Sequence, residues 1–390
     1  MSTELFESLL PWRATIIQAC SLLTVLFLVA RVALKQISWV DAVLVGLRIL
    51  VLIFVIIGAT YTIAAGKYTA GQWVNLLVAG LAQGSIYALI ALGYTLVYGI
   101  LLMINFAHGE VYMAGAFTTY FLADSMARAG LLDINAMVTI IVIISWIIFA
   151  ALVSMSIAIL LERIAYRPLR GAPRLVPLIT AIGASFFLQY TFRGFFGSGF
   201  KSYPDIDFLK ITPTSGTYML FGFSIPIVAT LVFVLSMLLM ILLYWLVEYT
   251  KMGKAMRAVS ENKEVARLMG VDIDKVIIFT FAVGGALAGA AGVIGALYRP
   301  QGINFFMGFF PGIKAFTAAV LGGIGSVPGA LLGGLFLGIF ESILPNLVLD
   351  GLGIPSPNQL KDVIAYTMLV FVLIFRPQGI IGEKLAEKKA

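Results

Sequence analysis

The stretch Val276-Ile277-Ile278-Phe279-Thr280-Phe281-Ala282-Val283-Gly284-Gly285-Ala286-Leu287-Ala288-Gly289-Ala290-Ala291-Gly292-Val293-Ile294-Gly295-Ala296-Leu297-Tyr298 contains no charged side chain. It exceeds the roughly 20 apolar residues that a helix needs to cross the hydrocarbon of a bilayer. Runs of the same character recur on both sides of it, over 14–34, 42–65, 73–98, 103–123, 136–161, 176–196, 221–247 and 360–375, separated by short polar joints. The 390-residue chain is 61% hydrophobic and only 12% charged, with a mean hydropathy of +1.03. A soluble domain carries about 25% charged residues. The runs therefore predict an all-α polytopic membrane protein with nine spanning helices.

Within 312–344, two apolar stretches flank Gly322-Gly323-Ile324-Gly325-Ser326-Val327-Pro328-Gly329, a strong turn signal. The first stretch is too short to span, so the segment reads as a re-entrant or paired half-helix hairpin. Such a turn is tolerated only where it is buried in protein or lines a cavity. Gly322, Gly323, Gly325 and Ser326 form that turn. Small residues also recur four apart at Gly285/Gly289, Ala288/Gly292, Ala291/Gly295, Gly329/Gly333 and Gly334/Gly338, which lets helix backbones approach closely.

The formal charge of +7 needs no nucleic-acid partner, because the basic residues collect in joints between apolar runs. Arg163, Arg167, Arg170 and Arg174 follow one run, and Lys251, Lys254, Arg257, Lys263, Arg267 and Lys275 follow another. The tail adds Arg376, Lys384, Lys388 and Lys389, while the joints 124–133 and 201–210 are poor in basic residues or balanced by acids. Cytoplasmic loops carry such an excess of Lys and Arg. Nine crossings counted back from a cytoplasmic tail place the N-terminus outside. Glu4 and Glu7 with only Arg13 against them, and no small-residue cleavage site, read against a signal peptide, so the first run is expected to stay in the protein. Cys20 and His108 are the single cysteine and histidine, which excludes an intrachain disulfide and a Cys/His metal site.

Polar groups inside the apolar runs are candidates for function. Gln83, Tyr87, Tyr94 and Tyr98 share one helix face. Asn105, His108 and Glu110 crowd into six residues around Gly109. An ionised carboxylate near mid-bilayer costs about 2.5 to 3.5 kcal/mol even on a lenient scale, so Glu110 should face protein or water. Two readings stand for this cluster: it lines a path at a broken helix, or it ties a helix break to neighbouring helices. The joint 248–275 is charged but also holds Met256, Val259, Val265, Leu268 and Met269. Ser260 is placed to cap a short helix with Glu261 and Glu264 in its first turn, and Gly270 to end it in a left-handed residue.

Glu264-Val265-Ala266 followed by Gly270 resembles the Glu-Ala-Ala, three residues, Gly signature of ABC importer permeases, with Val265 in place of the usual alanine. In the same chain order lie Gly84-Ser85-Ile86-Tyr87, Gly93-Tyr94-Thr95-Leu96, Asn105-Phe106-Ala107-His108-Gly109-Glu110, Tyr166-Arg167-Pro168-Leu169-Arg170, Gly253-Lys254-Ala255-Met256-Arg257-Ala258, Lys314-Ala315-Phe316-Thr317 and Arg376-Pro377-Gln378-Gly379. Together these resemble the branched-chain amino-acid permease family in its H-type subunit, over about 73–381. The resemblance implies a type II importer-like permease bundle in the cytoplasmic (inner) membrane. It also implies partners: a second related permease, two ATPase subunits and an extracytoplasmic substrate-binding protein. The implied cargo is branched-chain amino acids, with urea and short amides carried by relatives. Arg257, Glu264, Ala266 and Gly270 would belong to the ATPase-coupling loop, and Asn105 to Glu110 to the translocation path with Gln83, Tyr87 and Tyr94. Residues 1–70 would form a two-helix extension outside the permease domain of 71–390.

No cofactor is expected on this chain. Gly253-Lys254 is followed by Ala255 and lacks the first glycine of a phosphate loop, so ATP would be used by partner subunits. A secondary carrier coupling ions through Glu110 and His108 is the first rival, but it has no need of the Glu264–Gly270 element. An intramembrane serine protease is the second, and no Gly-x-Ser-x-Gly elbow supports it.

Overall fold

A computed structural model describes residues 13–33, 38–132, 134–173, 175–204, 206, 216–299, 302–376 and 378–381. Arg174, part of the joint 201–210, and the tail lysines Lys384, Lys388 and Lys389 lie outside them, as do Glu4 and Glu7. The helices are α1 (Arg13–Ala33), α2 (Trp39–Ala65), α3 (Ala70–Leu101), α4 (His108–Arg128), α5 (Ala136–Leu161), α6 (Leu175–Phe196), α7 (Ile227–Tyr249), α8 (Lys251–Glu261), α9 (Lys263–Leu268), α10 (Ile273–Tyr298), α11 (Phe309–Gly322), α12 (Val327–Leu344) and α13 (Lys361–Phe375). A small hairpin, β1 (Thr217–Leu220) and β2 (Phe223–Pro226), precedes α7.

Among the described residues, eight helices are long and apolar enough to cross a membrane, one fewer than the sequence predicts. Seven coincide with expected spans. The run 14–34 is described as an apolar helix only over Ile16–Val32, and α4 opens on His108 and Glu110, too polar to count by composition. The run 221–247 starts late because Phe221 and Gly222 both take positive φ in the β1–β2 turn, and Pro226 then caps α7. The eighth helix is the second arm of the predicted hairpin. α11 has 14 residues, but α12 continues through a π-helical turn to Leu349 and reaches full spanning length. The paired half-helix reading is thus corrected to one half-helix followed by a full one.

The chain forms two compact units. One holds the described residues up to Leu77 together with Phe340–Ile364. In it α2 packs on the π-helical turn Pro345–Leu349, with the Gly58 backbone against that of Val348, and Lys67 pairs with Asp350 at 3.2 Å. The other holds Val78–Ile339 and the described residues from Ala365 on. Its centre is α10, which packs on α5 and α4. A Cβ on Gly285 would come within 2.5 Å of Ala158, and one on Gly292 would run into the Tyr112 carbonyl. The four-residue rows of small residues are therefore sites where backbones touch. Ser154 ties α5 to α4 by donating to the Val111 carbonyl at 2.8 Å.

At the far end of α11, Gly323 and Gly325 adopt φ of 108° and 99°, and Ser326 Oγ accepts from Gly329 N at 3.2 Å. The last two carbonyls of α11, on Leu321 and Gly322, accept from Ile380 N at 2.8 Å and Ile381 N at 3.0 Å. Those two amides come from the segment that follows α13.

Candidate functional site

α3 ends where Leu102 turns to φ 56°, and the backbone stays non-helical until α4 begins at His108. The helix break therefore precedes Gly109. That glycine instead sits in the first turn of α4, where a Cβ would come within 2.6 Å of the Gly308 carbonyl and 3.0 Å of Gly312 Cα. Two helix starts, α4 and α11, thus converge on one point. Positive ends of helix dipoles favour negative charge there.

Glu110 occupies that point and is 1% exposed. Its Oε1 accepts from Gln189 Nε2 at 2.6 Å and from Ser185 Oγ at 3.3 Å, both on α6. Its Oε2 has no hydrogen-bond partner and lies 3.0 Å from where a Gly308 Cβ would be. Glu110, Ser185 and Tyr94 line a cavity of about 290 Å³ whose remaining wall is Phe106, Ile182, Phe186, Gly308, Phe309, Gly312 and Ile313. The cavity is a mostly apolar pocket, open on the side where Ile182 and Phe186 are exposed, with a phenol and a hydroxyl in its wall and the Glu110 carboxyl buried behind it. Such a mixture of apolar wall and few polar groups is the usual build of a small-molecule site.

The other sequence candidates divide. Tyr94 shares the cavity. His108 packs edge-on to Tyr94 with centroids 5.0 Å apart and leaves Nε2 unpartnered against Gly93. Asn105 is buried and accepts from the Tyr166 hydroxyl at 2.6 Å. Tyr87 is buried beside Lys314, whose Nζ lies 3.3 Å from its hydroxyl. Gln83 is half-buried and does not line the cavity. Sequence reading passed over Ser185 and Gln189, although two polar residues four apart in an otherwise apolar run mark one helix face. Lys314 entered only as part of a family motif and was not weighed as a cation inside an apolar stretch.

The charged loop holds two helices rather than one. α8 runs to Glu261, and Ser260 is inside its last turn with Oγ on the Arg257 carbonyl. Asn262 caps α9, accepting from Glu264 N at 3.0 Å and Val265 N at 3.1 Å, so the cap expected of Ser260 belongs to Asn262. Gly270 has φ 84°, the left-handed stop expected of it. Ala266 is buried, whereas Val265, Leu268 (87% exposed) and Met269 (79% exposed) project outward, and Glu264 is exposed. Arg257 pairs with Glu248 across the α7–α8 corner. Arg170 binds both Glu162, which is fully buried, and Asp274, while Arg167 reaches Asp274 at 3.0 Å. Partial burial, and then the charge of Arg170, hold the Lys263 ammonium below the usual lysine range. The start of α9 thus sits beside this cluster.

A bundle of apolar helices of spanning length, with a carboxyl buried at the start of one of them, defines an integral membrane protein. Residues 76–373 match the family model described as "Branched-chain amino acid transport system / permease component". The high-affinity branched-chain amino acid transport system permease protein BraD of Pseudomonas aeruginosa is 43% identical over 320 residues, covering 81% of this chain and 98% of the relative. LivH of Salmonella typhimurium is 40% identical over 310 residues, covering 79% and 95%. LivH of Escherichia coli K12 is 39% identical over 315 residues with the same coverage. This chain belongs to the branched-chain amino acid transport permease family; it is an integral membrane transport subunit and not an enzyme.

Proposed function

We propose that the chain is the permease subunit of an ABC importer that carries branched-chain amino acids across the cytoplasmic membrane. The observation that carries this is the match over 98% of BraD and 95% of LivH, both named high-affinity branched-chain amino acid transport system permease proteins. Energy enters through α9. A six-residue helix is too short to persist unpacked, and its exposed Val265, Leu268 and Met269 suit an apolar groove on an ATPase subunit. Glu264, Ala266, Gly270 and Arg257 form that coupling loop. The chain binds no cofactor, and partner subunits consume the ATP. A second permease, two ATPase subunits and an extracytoplasmic binding protein complete the importer.

In this reading the path runs past Glu110 and Tyr94, with Asn105, His108, Tyr87 and Gln83 supporting it from behind, and the glycine turn Gly322–Ser326 closes the half-helix beside it. The basic joints face the cytoplasm, which puts the N-terminus outside and the C-terminus inside. Residues 71–390 supply the permease domain and 1–70 an accessory extension, in keeping with a family match that begins at 76.

A mild-detergent pull-down of the tagged chain should recover ATPase subunits and a second permease, and a co-purifying binding protein should be stabilised by leucine, isoleucine or valine. Stabilisation by urea or an amide instead would reassign the cargo. A chain that stays alone and transports on an ion gradient after ATP depletion would sink the importer. Gly270→Val should cut ATP-driven uptake at least tenfold while insertion is unaffected. A β-branched residue is strained at φ 84° by roughly 1–3 kcal/mol. No atom crowds the site, so only the helix end should change. Unchanged uptake would remove the coupling role.

A further inference from the structure

The hairpin before α7 places a strained residue where nearly all of it is exposed. Phe221 takes φ 51° at the tip and is 92% exposed. Hairpin turns with positive φ at both central positions favour Asn-Gly or Asp-Gly, and a bulky residue there is an outlier. Gly222 follows at φ 82°, and Met219 (76% exposed) and Leu220 (43% exposed) stand beside the ring. The ribbon is fastened to the molecule through other residues. Tyr218 and Ile225 pair across it, Ile225 is buried, and the Tyr218 hydroxyl lies 3.1 Å from Thr230 Oγ1, one turn into α7. At the base, Ile227 N donates to the Gly216 carbonyl at 3.0 Å. Backbone strain that no contact within the chain explains directs attention to something bound outside it.

Charge and position decide what that is. Between Lys210 and Glu248 the chain carries no Asp, Glu, Lys or Arg, so the tip has no charge beside it to steer or orient a soluble partner. β2 runs into α7 without a linker, since Pro226 is both its last residue and the cap of the helix. With four residues in each strand at about 3.4 Å per residue, the tip lies within roughly 14 Å of the start of the span. Uncharged apolar and aromatic side chains at that height suit the boundary between headgroups and acyl chains.

We propose that Met219–Phe221 is a lipid-binding anchor, seated in the leaflet at the start of α7 with the Phe221 ring at the headgroup–acyl boundary. The anchor fixes the height of α7, which packs on the central helix α10. It is independent of the cargo and of ATP.

Cys20 is the only cysteine, so Cys20→Ser provides a background for a single nitroxide label. The full chain with its co-purifying subunits is labelled at Phe221→Cys and reconstituted into vesicles of phosphatidylethanolamine and phosphatidylglycerol. Collisions of the label with oxygen, which concentrates in lipid, are compared with collisions with a water-soluble nickel chelate. Leu238→Cys on the exposed face of α7 and Gly171→Cys in the polar joint after α5 mark the lipid and water extremes. The oxygen-to-nickel ratio at 221 should be severalfold above that at 171 and approach that at 238. Phe221→Asn suits the turn but removes the ring, so with the label at Met219→Cys it should bring the ratio down toward the value at 171. The proposal is overturned if the ratio at 221 equals that at 171, or if Phe221→Asn leaves the ratio at 219 unchanged. It is also overturned if nickel access falls only when a soluble binding protein is added, which would make the tip a protein dock. Should Phe221→Cys fail to fold, Met219→Cys gives the same comparison from a residue outside the positive-φ turn.

Discussion

Gly338→Leu is expected to leave almost no folded chain in the membrane. Gly338 on α12 lies directly on Gly84 of α3, and a Cβ there would overlap the Gly84 backbone and the Gly80 carbonyl. One turn earlier, a Cβ on Gly334 would come within 2.5 Å of Ala88 Cα. These are backbone atoms of α3, so no side chain can swing aside. Overpacking a well-filled core costs typically about 1–3 kcal/mol. A leucine that must push two helices apart along a shared row belongs at or above that range. Gly183→Leu on α6, where a side chain meets open space, is the matched control and should behave as wild type. Size-exclusion profiles in detergent and limited proteolysis read both. A monodisperse, protease-resistant Gly338→Leu chain would mean that α3 and α12 do not touch here.

The second large effect is expected of Arg170→Ala. Arg170 is the ion-pair partner of Glu162, which is fully buried, and it also holds Asp274. Removing one partner of a buried pair is worth about 3–5 kcal/mol, because the remaining charge is stranded. Arg167→Ala, by contrast, removes a half-exposed contact to the exposed Asp274, of a class worth about 0–1 kcal/mol. The thermal midpoints in detergent should rank Arg170→Ala well below Arg167→Ala. Adding Glu162→Gln to Arg170→Ala should recover part of the loss. Equal midpoints for the two arginine variants would show that Glu162 does not depend on Arg170.

Much of this architecture was legible because lipid imposes a simple rule on sequence. A helix that must satisfy its own backbone in hydrocarbon is written as a long apolar run, and seven expected spans reappear. Gly270 was legible for the same local reason, since glycine past the last helical turn is the cheapest left-handed stop. What escaped depends on choices that local chemistry leaves even. Ser260 and Asn262 are both good caps, and only the packing of α8 decides between them. Leu102 takes positive φ with no glycine to announce it. The polar partners of Glu110 lie on α6, remote in sequence, so the run 103–123 alone could not show what holds that carboxyl. Glu110, Tyr94 and the glycine turn stood out as isolated exceptions to the apolar rule.

The two amides that close α11 carry a consequence for biosynthesis. A helix end leaves carbonyls that need donors, and here those donors are Ile380 and Ile381, supplied by residues that follow another spanning helix. α11 can be inserted as soon as it leaves the ribosome, but it cannot be finished until residues 380 and 381 have emerged too. Until then the Leu321 and Gly322 carbonyls beside the glycine turn lack these two donors.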